Sequence, residues 1–377
     1  LNSNTGLSVF PDSKSHYDIL DGLRGVAAVM VVAFHLLESH ATSHFDQMIN
    51  HGYLAVDFFY VLSGFVIGYA YDDRWGKMTL GGFFKRRLIR LHPMIILGTI
   101  IGAILFYFQG RGCFSIINEV PVWKMLLIML LGFTLLPLPK SMDIRGWAEM
   151  HPLDGPAWSL FFEYIANIFY GLFVRRFSKL ALSALVVISG YFIIHLAVTH
   201  GDVVGGWSLD ATQLHIGLSR LMYPFFAGLL LSRIAKLTHI KHAFLWCSLL
   251  IILVLAFPRV GDKDHIWMNG IYESLCIVLI FPLIVYLGAS GEVKGKFASK
   301  VCKFLGDISY PLYITHYPIV YTYMAWVTDK KMPISESYPM AIVAFVASII
   351  LSFMYLRFYD VPMRKWLTKR FMTKPGS

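Results

Sequence analysis

Charge is scarce in this chain. Only 15% of its 377 residues are Asp, Glu, Lys or Arg, where a soluble domain carries about a quarter. Cysteine is rarer still: Cys113, Cys247, Cys276 and Cys302 show no paired spacing and read as neutral on redox compartment, and no metal is expected. Internal repeats, low-complexity stretches and a soluble appendage long enough to fold are missing. So is an opening charged region followed by a short apolar core and a small-residue cleavage site. No signal peptide is therefore expected, and the first spanning helix is expected to do the targeting. Acidic residues number 23 against 33 basic ones, for a net charge of +10. The basic residues gather in short connections such as Phe84–Arg90, Arg175–Lys179 and Arg364–Arg370, the pattern of the positive-inside rule. Nucleic-acid binding is excluded because no soluble basic domain remains to do it.

What is present is apolar sequence in long runs. Hydrophobic residues make up 56% of the chain and mean hydropathy is +0.60. Eleven segments approach spanning length: Ile19–Leu37, Tyr53–Tyr71, Leu91–Phe108, Trp123–Leu138, Ala157–Val174, Leu180–Val198, Leu214–Leu231, Ala243–Phe257, Met268–Leu287, Ile308–Val327 and Met340–Phe358. Basic loops follow the second, fifth, seventh and ninth, whereas Glu38–Gly52, His200–Gln213 and Gly261–Trp267 carry almost no Lys or Arg and should face outward. Between Arg90 and Arg175 three apolar segments must return the chain to one side, which an odd number of crossings cannot do. The expected fold is an all-α polytopic membrane protein of about ten transmembrane helices plus one re-entrant or interfacial segment, with both termini cytoplasmic; the rival is eleven true crossings with one basic loop on the wrong side. The segment that fails to cross is one of those three; the last of them follows a Gly-Pro and carries Glu163 and Asn167, so a break near a polar cavity is expected there.

Ionisable groups inside such segments mark sites or pathways. Arg24 and His35 lie eleven residues apart in the first segment, about 16 Å along a helix. Asp57 opens the second segment at the same end as His35, where a carboxylate can fix an imidazole tautomer; an interfacial residue is the plainer alternative. Ser63 and Gly64 suit close helix packing. Arg87 and Arg90 share a helix face behind Lys85, and two guanidinium forks there fit phosphate as well as simple inside-positive anchoring. In Pro156–Tyr170, Glu163 and Asn167 stand one turn apart; a buried carboxylate needs a partner or a proton, so an ion pair to an arginine such as Arg24 stands beside a catalytic role. Tyr313 and His316 lie at middle depth near the end of the chain, where a packing or hydrogen-bonding histidine is the plainer reading.

Arg24 and His35 with ten residues between them, Asp57-Phe-Phe with Ser63-Gly64-Phe65, Arg87-x-x-Arg90, Trp158-Ser159-Leu160-x-x-Glu163, Tyr310-Pro-Leu-Tyr313 with His316, and Asp360-Val-Pro-Met-Arg364-Lys-Trp366 occur in one order. As a set they resemble the acyltransferase-3 family of integral membrane acyltransferases, over roughly Tyr17 to Leu367. The resemblance implies a membrane acyltransferase domain at 17–367 between a tail at 1–16 and a cytoplasmic tail at 368–377. It also implies residence in the bacterial cytoplasmic membrane and O-acylation, often O-acetylation, of a glycan or other hydroxylated acceptor. The donor it implies is acyl-CoA, acetyl-CoA in the first instance. Two positions depart from the family pattern: Ala55 stands where glycine is common, and Asp360 where glutamate is usual. With no fused esterase-like domain in the sequence, a second hand-off would need a separate extracytoplasmic partner protein or be absent.

Together these readings give an expected mechanism. Arg87 and Arg90, with Lys85, hold the donor phosphates at the inner face, and Arg24 and Glu163 shape the channel. His35 acts as general base or carries the acyl group, oriented by Asp57, while Ser63, Trp158, Ser159, Asn167, Tyr313 and His316 are further candidate site residues. The rival class is a transporter or flippase with an intramembrane His/Glu pathway. Such proteins often show repeated halves, and no repeat is visible here.

Overall fold

A computed structural model describes residues 16–372. Most of the expected tail at 1–16, and the end of that at 368–377, lie outside the described residues. Among those described there are fourteen α-helices and no strand: α1 (Asp18–Glu38), α2 (Ala55–Tyr71), α3 (Leu80–Leu105), α4 (Val122–Gly132), α5 (Ala157–Leu172), α6 (Lys179–His200), α7 (Ala211–Ile234), α8 (Ala243–Ala256), α9 (Trp267–Leu275), α10 (Phe281–Ala289), α11 (Lys296–Thr315), α12 (Tyr317–Lys330), α13 (Ile334–Tyr355) and α14 (Val361–Phe371). Single π-helical turns, Cys276–Ile280 and Leu356–Asp360, join α9 to α10 and α13 to α14.

Seven of the described helical runs are long and apolar enough to cross a membrane, or eight if a bent pair counts as one span. The expected ten or so is not reached on this measure, for a geometric reason. Helix α5 has 16 residues and α8 has 14, about 24 and 21 Å at 1.5 Å per residue, short of a hydrocarbon core of about 30 Å. The α11–α12 run is interrupted at His316.

The bent pair falls in the middle one of the three doubtful segments. Gly112–Glu119 meets α4 at 106°, while α5 runs unbroken. Gly132, at the end of α4, packs against Thr99 of α3, and the Phe133 carbonyl accepts a hydrogen bond from His92 Nε2 at 2.7 Å. The chain then returns: Lys140 pairs with Asp210, the N-cap of α7, at 2.7 Å, and Leu153 comes back against Gly102.

Glycine decides how closely the central helices approach. In lipid, helices gain little from burying apolar area against one another, so small residues that let backbones touch drive association. A Cβ added to Gly64 of α2 would stand 1.8 Å from the Phe225 oxygen of α7, and one on Gly228 would stand 2.0 Å from that of Val61. In the same way a Cβ added to Gly25 of α1 would collide with the Leu305 carbonyl of α11, and Gly306 of α11 faces Asp21. Residue pairs rise together along both contacts (Asp57 with Arg220 and Gly68 with Ser232; Arg24 with Ser309 and His35 with His316), so α1 runs parallel to α11 and α2 parallel to α7.

Gly64→Val should therefore destabilise the protein by about 3 kcal/mol or more, at the upper end of overpacking costs. Gly81→Ala, where an added Cβ meets nothing within 4 Å, should leave stability unchanged or slightly raised. Thermal unfolding of the purified protein in detergent reads both.

Candidate active site

Where α1 begins, four arginines from α1, α3 and α14 converge. Arg24 pairs with Asp21 at 2.8 Å and its Nε donates to Ser309 Oγ at 2.8 Å. Arg87 reaches Glu163 Oε1 at 2.5 Å, and Ser63 Oγ donates to the same oxygen at 2.7 Å. Arg364 pairs with Asp360 at 2.7 Å, so the shorter aspartate still closes that bridge. Arg90 lies within electrostatic range of Arg24, Arg87, Arg364 and Asp21. It is exposed, and no described residue gives it a hydrogen bond or an ion pair. Three carboxylates against four guanidiniums leave the excess positive charge on the one that is open, which is how a site for a phosphorylated ligand is built. Lys85 is exposed on the same helix.

Glu163 thus pairs with Arg87 rather than with Arg24, because α5 packs on α3 while Arg24 turns to α11. Asn167 donates to the Glu163 carbonyl at 2.8 Å, and its own carbonyl oxygen is buried without a partner.

In the first turn of α2, Asp57 does not reach His35. It is fully buried and bound by Arg220 of α7 at 2.7 and 3.3 Å, and Arg220 also donates to the Tyr53 and Gly205 carbonyls. Trp158 lies over that guanidinium at 5.3 Å. Ser159 donates to the Pro156 carbonyl at 2.9 Å and accepts from Tyr313 OH at 2.7 Å.

At the far end of α1, the His35 imidazole meets Glu38 instead: Nδ1 lies 2.8 Å from Glu38 Oε2. A carboxylate can only accept, so Nδ1 carries the proton and Nε2 the lone pair. The His35 ring stacks on His316 at 5.6 Å and meets Tyr317 edge-on at 4.7 Å. Tyr317 continues to Tyr321 at 4.5 Å, whose hydroxyl bonds Glu149 at 2.6 Å, beneath an Arg145 guanidinium 3.6 Å from the Tyr321 ring. Glu149 and Arg145 come from the stretch that returns from α4, and burial pushes the Glu149 carboxyl up to about 7 against the pull of Arg145. The same stretch holds His151, lowered to about 3 by burial, and Asp154, raised well above the ordinary carboxylate range by burial. His151 Nε2 and both Asp154 oxygens are unpartnered and line a cavity of about 10 Å³, room for a single water.

The arrangement offers a cluster of guanidiniums at one end, hydrogen-bonded aromatic side chains between, and a carboxylate-oriented imidazole with a free nitrogen at the other. That imidazole can remove a proton from a hydroxyl. Glu38 was overlooked in the sequence although it sits one turn from His35 on the same face. Arg220 carried a signal too, as a charge in an apolar run; Arg145, Glu149 and Tyr317 carried none, since only the return of the α4 segment and the turn of α12 bring them to His35.

A family model described as an acyltransferase domain, acyltransferase-3, matches residues 17–357. Protein 2 in the picA locus of Rhizobium radiobacter is 33% identical over 165 residues, 42% of this chain and 82% of that protein. The O-acetyltransferase OatA of Staphylococcus aureus strain NCTC 8325 is 24% identical over 379 residues, 94% of this chain and 58% of that protein. A putative O-acetyltransferase of S. aureus strain COL is 22% identical over 381 residues, 95% of this chain and 59% of its own length. The chain thus spans somewhat over half of these O-acetyltransferases. No solved structure matches it significantly.

Asp57→Ala should strand Arg220 as a buried, uncompensated charge and destabilise the fold by about 3–5 kcal/mol. A loss of activity with unchanged thermal stability would instead mark Asp57 as a residue of the chemistry.

Proposed function

The chain belongs to the acyltransferase-3 family, and from that premise we propose that it moves an acyl group, acetyl in the first instance, from acyl-CoA on the cytoplasmic side to a hydroxyl of a glycan or other cell-surface acceptor. The family, the O-acetyltransferase relatives and the apolar helices support an O-acyltransferase of the membrane, and the transporter reading is not favoured. In this reading 17–367 is one membrane domain with ten crossings. They are α1, α2, α3, α5, α6, α7, α8, α9–α10, α11–α12 and α13–α14, with α4 re-entrant and both termini cytoplasmic.

The observation that carries the reading is the free nitrogen of His35. With Nδ1–H held by Glu38, Nε2 accepts the proton of the acceptor hydroxyl as its oxygen attacks the acyl carbon, and the donor thiolate leaves towards the inner face. Arg90, supported by Arg24, Arg87 and Lys85, holds the donor phosphates at the opposite end of α1. The eleven residues from Arg24 to His35, about 16 Å of helix, match the need to span from a phosphorylated head to a reacting carbon along an extended arm. Ser63, Trp158, Ser159, Asn167 and Tyr313 border that route, and Asp57 and Glu163 hold the arginines beside it.

His35→Ala should lower transfer from radiolabelled acetyl-CoA to a cell-envelope glycan fraction by at least about 10²-fold, with melting temperature and donor binding unchanged; turnover near that of the native protein would refute the assignment. Arg90→Gln should weaken binding of a non-hydrolysable acetyl-CoA analogue by about tenfold, the value of one charge-assisted contact. An Arg90 that serves only as a topology anchor would leave that affinity intact in correctly inserted protein.

A further inference from the structure

A second histidine at the His35 end has no role in the mechanism above. His316 stands at the break between α11 and α12 and is completely buried. Its Nδ1 lies 3.0 Å from the Leu312 carbonyl oxygen and 2.9 Å from that of Tyr313. Carbonyls only accept, so Nδ1 bears the proton and Nε2 the lone pair. That Nε2 is buried with no hydrogen-bond partner, a costly state for a polar atom unless something uses it. Its ring is stacked on His35. Ser309, Tyr313 and His316 follow at helical spacing along α11 from the Arg24 contact to the His35 contact.

A nitrogen without a proton cannot serve as an acid. It can take a proton or attack carbon, and His35 with Glu38 already supplies the base. We infer that His316 is the acyl carrier: its Nε2 receives the acyl group from the donor thioester before the acceptor takes it. The inference rests on the acyl-transfer reading above. In the first step the Nε2 lone pair bonds to the thioester carbonyl carbon and the C–S bond breaks. The sulfur departs as thiolate and takes a proton from water. The Nδ1 proton stays on its backbone carbonyls, leaving an acyl-imidazolium. In the second step the acceptor hydroxyl gives its proton to His35 Nε2, its oxygen bonds to the acyl carbon, and the C–Nε2 pair returns to His316. His35 then releases its proton to water, and both imidazoles are neutral again. A buried carrier lets the donor leave inward before the acceptor enters from outside, so the two need never share the site.

A carrier permits exchange without an acceptor. The full chain in lipid vesicles is incubated with acetyl-CoA and radiolabelled CoA, and label entering acetyl-CoA is measured for the native protein, His316→Gln and His316→Ala. Binding of a non-hydrolysable acetyl-CoA analogue and the melting temperature are followed in parallel. Native exchange, falling at least 100-fold in His316→Gln with analogue binding retained, is the expected result. Exchange by His316→Gln at the native rate overturns the inference, as does a native protein that acetylates a cell-envelope glycan fraction yet shows no exchange. Should the variants fail to fold, native exchange with ping-pong kinetics supports the carrier and its absence overturns it. A native protein that neither exchanges nor transfers from acetyl-CoA overturns the donor reading itself, and the carrier with it.

Discussion

Helix α1 lies against α11 with glycine at the closest points, Gly22 against Cys302, Gly25 against the Leu305 carbonyl and Gly306 against Asp21. Lipid offers no hydrophobic reward for bringing two apolar helices together, so contact at backbone distance must supply the attraction. Because the pair runs parallel, one contact sets the register at both ends. Arg24 meets Ser309 below and His35 meets His316 above. A wider spacing at Gly25 would separate the imidazoles and open the arginine cluster together. The α2–α7 contact at Gly64 and Gly228 does the same for Asp57 and Arg220.

Within that frame the distribution of charge follows from the cost of burying it. Each deeply placed guanidinium is matched: Arg87 by Glu163, Arg220 by Asp57, and Arg145 by Glu149, Gln109 and the Tyr321 ring. Such pairs gain little net stability, yet removing one partner is expensive. They work as fixed scaffolding. What is left over is correspondingly informative. Arg90 is open and without a carboxylate of its own, and His316 Nε2 is buried without a partner. Reactive and binding groups are the ones that folding leaves unsatisfied.

Much of this was legible in the sequence where the signal is local. Arg87 and Arg90 three residues apart had to share a face, and Arg24 and His35 had to sit at opposite depths of one helix. Partners were harder. Asp57 pointed to His35 because both open or close a helix at the same end, but a carboxylate takes the nearest buried cation, and the parallel packing of α2 on α7 supplies Arg220. Glu163 chose Arg87 over Arg24 for a similar reason, since the helix on which a residue packs is a long-range outcome. The loop charges raised the expectation that one segment between Arg90 and Arg175 returns to its own side. They could not show which, because α4 and α5 are both apolar and nothing local marks the 106° bend between Gly112–Glu119 and α4.

Composition and periodicity by themselves determined an integral membrane protein built from helices, because a chain so poor in charge has no other way to satisfy its backbone. The ordered motifs determined the family. Tertiary structure alone decided which carboxylate holds which arginine, that Glu38 rather than Asp57 fixes His35, and that a second imidazole lies stacked on the first. Apart from the local pairs His35–Glu38, Arg24–Asp21, Arg145–Glu149 and Arg364–Asp360, those contacts join residues tens to hundreds of positions apart. Only the packing distance between helices, set by a few glycines, brings them within reach of a hydrogen bond.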